Sequence, residues 1–322
     1  MKTIDVTALG ELLIDFTENG VSGQGNPVFE ANPGGAPCNV LSMLSRCGRK
    51  TAFIGKVGDD MFGRQLKAAL EEVGIMTDGL LSDPEVHTTL ALVHKLPNGD
   101  RDFSFYRKPG ADIMLSADEL DKRLLEEAKI FHFGSLSLTD EPARTATMQA
   151  VETAKRAGAV ISFDPNLREP LWGTLDQAKE QIAWGMGVTD IMKISDNEIL
   201  WFTGEKTFED AAARLLREYP NIRLLLVSLG PDGSMAFTNG MCVRTPAFRL
   251  EETVETTGAG DTFQAVSLEF VLRYGLDGLD EDKLREMLRT ANAAAAIVTT
   301  RRGALRVMPS AEEVRDFLAA HE

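Results

Sequence analysis

Short β-branched or apolar runs alternate with longer amphipathic segments along most of this chain, and that alternation restricts the fold more than any other feature. Residues 51–57, 130–133, 159–163, 191–194 and 224–229 have the length and composition of buried strands. Helical spacing recurs between them. Phe62, Leu66, Ala69, Leu70 and Val73 fall three or four apart and share one face before Gly74 stops the segment. A strand that is followed by a helix and then by another strand crosses over, so the pattern predicts an α/β fold with a mainly parallel central sheet. The 322 residues suffice for one large domain, and no repeat or Pro/Gly/Ser-rich linker divides them.

Two stretches break the alternation, residues 11–32 and 88–107. In the second, Pro97-Asn98-Gly99-Asp100 stands between two strand-like segments, and Asn-Gly in that setting signals a hairpin. A small β layer inserted near the start of an α/β domain is either a structural flap or a cover for a cleft.

Composition excludes several classes. With 49 acidic against 34 basic side chains the formal charge is −15, which repels nucleic-acid backbones and anionic lipid, so neither nucleic acid nor a membrane is an expected partner. The uncharged run 290–300 is about half the roughly 20 residues a membrane helix needs. No secretory signal is visible in Met1-Lys2-Thr3-Ile4-Asp5-Val6, and Cys38, Cys47 and Cys242 are too scattered for a disulfide framework, so free thiols and a cytoplasmic location are expected. His87, His94, His132 and His321 lack ligand spacing, which leaves a zinc site unsupported. No Walker A loop and no Gly-x-Gly-x-x-Gly after a first strand occur, so P-loop NTPases and dinucleotide oxidoreductases lose ground.

The most informative segment is Glu255-Thr256-Thr257-Gly258-Ala259-Gly260-Asp261-Thr262-Phe263, small residues leading into an apolar helical run. It reads as a loop feeding a helix N-terminus, where unpaired N–H groups and the helix dipole attract an anion. Asp261 falls in the first turn, either as a cap or as a base that takes the proton of a hydroxyl attacking phosphorus. A second Gly pair, in Asn32-Pro33-Gly34-Gly35-Ala36-Pro37-Cys38-Asn39, again precedes a helical run. There Asn39, with Asp15 after the first strand, offers an amide and a carboxylate to sugar-like hydroxyls, or merely caps a turn. Phe163-Asp164-Pro165-Asn166-Leu167-Arg168 sits at the carboxyl end of a strand, where open α/β sheets bind ligands. Asn166 and Arg168 either face that cleft or form an exposed turn. Glu198, opening the helical stretch after Ser195, either caps its helix or holds hydrated Mg²⁺ through water.

Taken in order, these motifs resemble those of the ribokinase-like (phosphofructokinase B type) sugar kinases along essentially the whole chain, and within them the fructokinases. Gly10-Glu11-Leu12-Leu13-Ile14-Asp15, Pro33-Gly34-Gly35-Ala36-x-x-Asn39 and Gly55-x-x-Gly58-Asp59-Asp60-x-x-Gly63 resemble the N-terminal signature, and Thr256-Thr257-Gly258-Ala259-Gly260-Asp261 the C-terminal one. Tyr106-Arg107-Lys108-x-Gly110-Ala111-Asp112, the 163–168 segment with Leu171-Trp172, and Ser195-Asp196-x-Glu198 look like the fructokinase branch.

The resemblance implies a ribokinase-like three-layer α/β/α sandwich with a small inserted β-sheet lid at about 11–34 and 86–110 that often also forms a dimer interface. It implies ATP-dependent phosphorylation of a sugar primary hydroxyl, with Asp261 as base and the amides of Gly258, Ala259 and Gly260 as anion hole. Asp15, Gly34, Gly35, Asn39 and Asn166 match sugar-side positions, with Arg107 and Arg168 near the sugar or the transferring phosphate. Ser195, Ser228, Gly230 and Gly233 match the nucleotide side, and Asn292 with Ala296 the adenine. Glu198 is the implied water-mediated Mg²⁺ residue, and Glu255, Thr257 and Gly303 the implied site for K⁺. Glu255 stands where the family commonly has Asp, Ser195 where it commonly has Asn, and Gln264 where small glycines are common. The expected reaction is phosphorylation of D-fructose to fructose 6-phosphate. The alternatives are a 2-keto-3-deoxygluconate kinase, a non-catalytic sugar- or nucleotide-binding regulator, and a dinucleotide oxidoreductase.

Overall fold

A computed structural model describes residues 2–95, 101–238, 240–250 and 252–321. The expected hairpin turn Pro97-Asn98-Gly99-Asp100 lies outside the described residues. The chain opens with β1 (Ile4–Leu9), β2 (Leu13–Val21), β3 (Pro27–Gly34), α1 (Ala36–Arg46), β4 (Thr51–Gly58), α2 (Met61–Glu72), β5 (Ile75–Asp83), β6 (Leu90–Lys95) and β7 (Arg101–Tyr106). It continues through α3 (Lys122–Glu126), β8 (Ala128–Gly134), α4 (Ala143–Arg156), β9 (Val160–Asp164), α5 (Leu175–Val188), β10 (Ile191–Ser195), α6 (Asp196–Thr203) and α7 (Phe208–Glu218). It closes with β11 (Leu224–Ser228), β12 (Ser234–Thr238), β13 (Met241–Thr245), α8 (Ala259–Tyr274), α9 (Glu281–Thr299) and α10 (Ala311–Ala320).

Nine strands form the central sheet in the order β13-β12-β11-β10-β9-β8-β1-β4-β5. All its pairings are parallel except β11 with β12 and β12 with β13, which are antiparallel and close one edge. Its strands are buried on both faces because helices cover both, which is why they read as continuous apolar runs rather than alternating ones. Val6 and Ala8 of β1 pack with α1, α2, α8 and α9 on one face. Ile4 and Leu9 pack with α3 to α7 on the other. The three-layer sandwich expected from the sequence is the observed architecture.

The interrupted stretches form a separate four-stranded sheet, β3-β2-β6-β7, outside that sandwich. Ile14, Phe16 and Leu90 of this sheet pack against the core, whereas Val21 and Val28 are exposed. Local signals set the helix starts that matter for the site. The Asp60 carboxylate caps α2 by accepting from the N–H groups of Phe62 and Gly63. Gly35 enters α1 at φ 126°, where a Cβ would strike the Glu11 carbonyl, so glycine is required.

Candidate active site

The carboxyl ends of β1, β9 and β10 and the start of α8 surround a cavity of about 240 Å³, whose outer wall is the small sheet through Leu13, Asp15, Val93 and Phe105. This is where an open α/β sheet places its ligands. Asp261 lies in the first turn of α8, after Gly258 at φ 80°. The turn brings together the features read from the sequence: a helix N-terminus with little side-chain bulk, and a carboxylate beside it.

Asn39 of α1 donates from Nδ2 to Asp261 Oδ2 at 2.7 Å, which fixes the carboxylate although 222 residues separate the two. The Oδ1 of Asn39 is buried without a partner among the described residues. Burial raises the Asp261 carboxyl above the usual range, and Asn39, Lys193 and Arg168 oppose that rise. Burial pushes Asp15 up to about 7, with Arg168 opposing and Glu255 and Asp261 reinforcing. Two carboxyls with raised pKa values share this cavity, which suits proton transfer. Gly34 lies directly against the Asp15 carboxylate and has no room for a Cβ, so it seats Asp15 rather than forming the cavity wall itself.

Asn166, Arg168 and Lys193 form the opposite wall. Asn166 adopts φ 44°, an uncommon conformation for a residue other than glycine, and its N–H donates to Asp164 Oδ1 at 3.2 Å. Its side-chain oxygen accepts from Arg168 Nη1 at 2.7 Å, which aims the guanidinium along the cavity. A neighbouring cavity of about 440 Å³ shares Asn166, Arg168 and Lys193 and adds Ser195 and Glu198. A third, of about 620 Å³, is bounded by Gly230, Ala259, Asn292 and Ala296. Two further site residues lie beyond it. Ser228 ends β11 in register with Ser234, and Gly233, at φ 101°, packs against the carbonyl of Thr245 with no space for a side chain.

Several of the implied site residues have partners within the protein. Arg107 is buried with Nε and Nη2 on Asp112, Nη1 on Thr139 and Nη2 also on the Leu136 carbonyl, so it braces the base of the small sheet instead of reaching the 240 Å³ cavity. Asn292 accepts from Ser234 at 2.9 Å and donates to the Thr245 and Pro246 carbonyls, so it fixes the wall of the third cavity. Glu198 forms a capping box with Ser195, and its Oε1 accepts from the Leu167 N–H at 2.6 Å. The same carboxylate therefore starts α6 and holds the turn that carries Arg168.

Among the described residues no cluster of three His, Cys, Asp or Glu side chains could cage a metal. Glu169 and Glu198 line the 440 Å³ cavity and are carboxylates there that could meet a hydrated Mg²⁺. Glu255 accepts from Thr257 Oγ1 at 2.7 Å and from the Gly303 N–H at 3.0 Å, so the three residues of the implied monovalent site do meet.

Reading the sequence missed Lys193. Its ammonium is buried beside Gly260 in the first turn of α8 and bonds Asp164 Oδ2 at 2.9 Å. Burial would lower its pKa, but Asp164, Glu198 and Asp261 outweigh that and hold it above the ordinary value. Burial raises Asp164 to about 6, with Glu198 and Asp261 reinforcing and Lys193 opposing the rise. The signal available was a lysine inside an apolar strand, where a buried charge needs a partner.

The sequence pattern of the pfkB family carbohydrate kinases matches residues 3–311. The chain belongs to that family. It is 44% identical over 315 residues to a probable fructokinase-2 of Arabidopsis thaliana, covering 97% of this chain and 95% of that protein. The crystal structure of a fructokinase with bound ATP from Xylella fastidiosa superposes with a TM-score of 0.90 at 30% identity, covering 100% of this chain and 99% of the other. A double mutant of a Vibrio cholerae fructokinase, in a form with bound fructose, ADP and potassium ion, superposes with a TM-score of 0.85 at 27% identity, covering 99% of each chain.

Proposed function

We propose that this carbohydrate kinase is an ATP-dependent fructokinase that phosphorylates the primary 6-hydroxyl of D-fructose. The observation that carries the reading is Asp261, buried in the first turn of α8 beside the Gly258–Gly260 amides and held by Asn39 within one cavity with Asp15 and Arg168. In this reading Asp15, Asn39 and Asn166 hold the sugar hydroxyls, while Gly34 and Gly35 set the backbone that carries them. The Asp261 carboxylate takes the proton of the attacking hydroxyl as the new O–P bond forms and the bond to the ADP oxygen breaks. The amides of Gly258, Ala259 and Gly260, with Arg168, receive the charge of the transferring group. Placing the sugar and the nucleotide in adjoining cavities, with the small sheet as a lid, supplies orientation and excludes water.

In this reading the nucleotide would lie in the 620 and 440 Å³ cavities, with its adenine near Ala296 and its phosphates near Gly230 and Ser195. Mg²⁺ bound to ATP would neutralise phosphate charge, and Glu198 would touch it through water. K⁺ would sit by Glu255, Thr257 and Gly303. Among the described residues that line the sugar cavity, Arg168 and Lys193 are the cations and both lie on the phosphate side, while Asp15 would repel an acid. A neutral hexose suits that wall better than 2-keto-3-deoxygluconate.

The exposed Val21, Val28 and Phe29 of the small sheet suit packing against a second copy, which light scattering would report as a dimer. Three free cysteines are consistent with a reducing cytoplasm, and among the described residues no helix is long and apolar enough to cross a membrane. The test of the function is ADP release from Mg²⁺-ATP with fructose, ribose, 2-keto-3-deoxygluconate, nucleosides or no sugar. Fructose-dependent release is expected; release with another sugar and not with fructose would overturn the substrate, and none with any sugar the kinase reading.

A further inference from the structure

Lys193 stands at the wall between the sugar cavity and the 440 Å³ cavity, and it lines both. Its Nζ lies 3.0 Å from where a Cβ on Gly260 would be, in contact with the turn that carries Asp261. The side chain is 7% exposed and its partner Asp164 4%. Among the described residues Asp164 is the one acceptor the ammonium meets, which leaves two of its three N–H donors unused. An ion pair sequestered in this way is a poor source of stability, because desolvation offsets the attraction. Its location supplies a reason for keeping it.

We propose that Lys193 is a catalytic residue whose ammonium binds the non-bridging oxygens of the phosphoryl group in flight, and that Asp164 is the positioning residue that holds it there. Asp164 is suited to the task because its other oxygen accepts from the N–H of Asn166, so one carboxylate sets both Lys193 and the strained turn leading to Arg168. The two cations then meet the phosphoryl oxygens beside the α8 amides. Lys193 neither gives nor takes a proton. The sugar oxygen forms the new bond to phosphorus, the bond to the ADP oxygen breaks, and the proton leaves on Asp261. The role of the ammonium is to meet charge that spreads over the equatorial oxygens and is larger there than in bound ATP.

This rests on the phosphoryl-transfer reading, and the assays use whichever sugar the wild type turns over. Lys193→Met keeps the length of the side chain and removes the charge. The expected result is a fall in kcat of about 100- to 1000-fold, with the dissociation constants for ADP and sugar within about threefold of wild type. Tight trapping of ADP with aluminium fluoride, which mimics the transferring group, is lost. Asp164→Asn keeps the ammonium and loosens its seat, so kcat falls about tenfold with KM nearly unchanged. That variant carries the test if Lys193→Met does not fold. A kcat within about threefold of wild type in Lys193→Met refutes the role alone, as does trapping equal to wild type in either variant. Absence of turnover in the wild type on every sugar refutes phosphoryl transfer and this role with it.

Discussion

Adding one methyl group at Gly260 separates the stability of α8 from its chemistry. Gly260 lies in the helical first turn, where alanine is favoured over glycine by up to about 1 kcal/mol. The new Cβ would stand 3.0 Å from Lys193 Nζ. Ordinary contact is nearer 3.5 Å, so the ammonium must retreat by ~0.5 Å against its 2.9 Å bond to Asp164. A displacement of ~1 Å at a reacting centre costs about 100-fold in rate, so half of it costs about tenfold, or ~1.4 kcal/mol in the barrier. Gly260→Ala is therefore expected to lower kcat about tenfold while Tm stays within ~2 °C of wild type or rises. Steady-state kinetics at saturating ATP and sugar, beside a thermal melt, read both. In a Lys193→Met background the same change should cost less than about threefold, because the displaced charge is already gone. An unchanged kcat, or a loss of rate matched by a fall of several degrees in Tm, would refute the reasoning.

Gly35→Ala takes the opposite course. At φ 126° with the Glu11 carbonyl in the way, it should destabilise the protein by about 2–3 kcal/mol in urea unfolding and raise KM for the sugar through Asp15 and Asn39; unchanged stability would contradict the stated need for glycine. Asp15 titrates at about 7 against an ordinary 3.8, so its proton favours the folded state fully below about 4, and that contribution is lost as the pH rises to about 7. The wild type should thus lose about 4 kcal/mol relative to Asp15→Asn over that interval, measured as ΔTm against pH without ligand, and parallel curves would discount the shift. Turnover should be faster in K⁺ than in tetramethylammonium at equal ionic strength, and equal rates would remove the cation from Glu255, Thr257 and Gly303.

The parts of this molecule that sequence made legible are those whose physics is local. The loop 255–261 declares itself because small residues before an apolar helical run have one consequence, an open helix N-terminus. Glu198 and Ser195 likewise carry a capping signature, and the structure forms that capping box. Strand order was not legible, because parallel strands joined by helices can be arranged in several ways, and β1 lies between β8 and β4 rather than beside its neighbour in the chain. The bond from Asn39 to Asp261 and the pair of Lys193 with Asp164 follow from that order, so spacing could not reveal them. The partners of Arg107 were equally hidden: the resemblance placed it near the sugar or phosphate, and the structure pairs it with Asp112, Thr139 and Leu136.

The central claim is that the carboxylate of Asp261 performs the proton transfer, and Asp261→Asn tests it most directly. Asparagine keeps the volume and removes the base, so fructose-dependent ADP release should fall at least about 1000-fold, while calorimetry finds ATP and fructose bound within about threefold of wild type. Turnover close to that of the wild type would contradict the account.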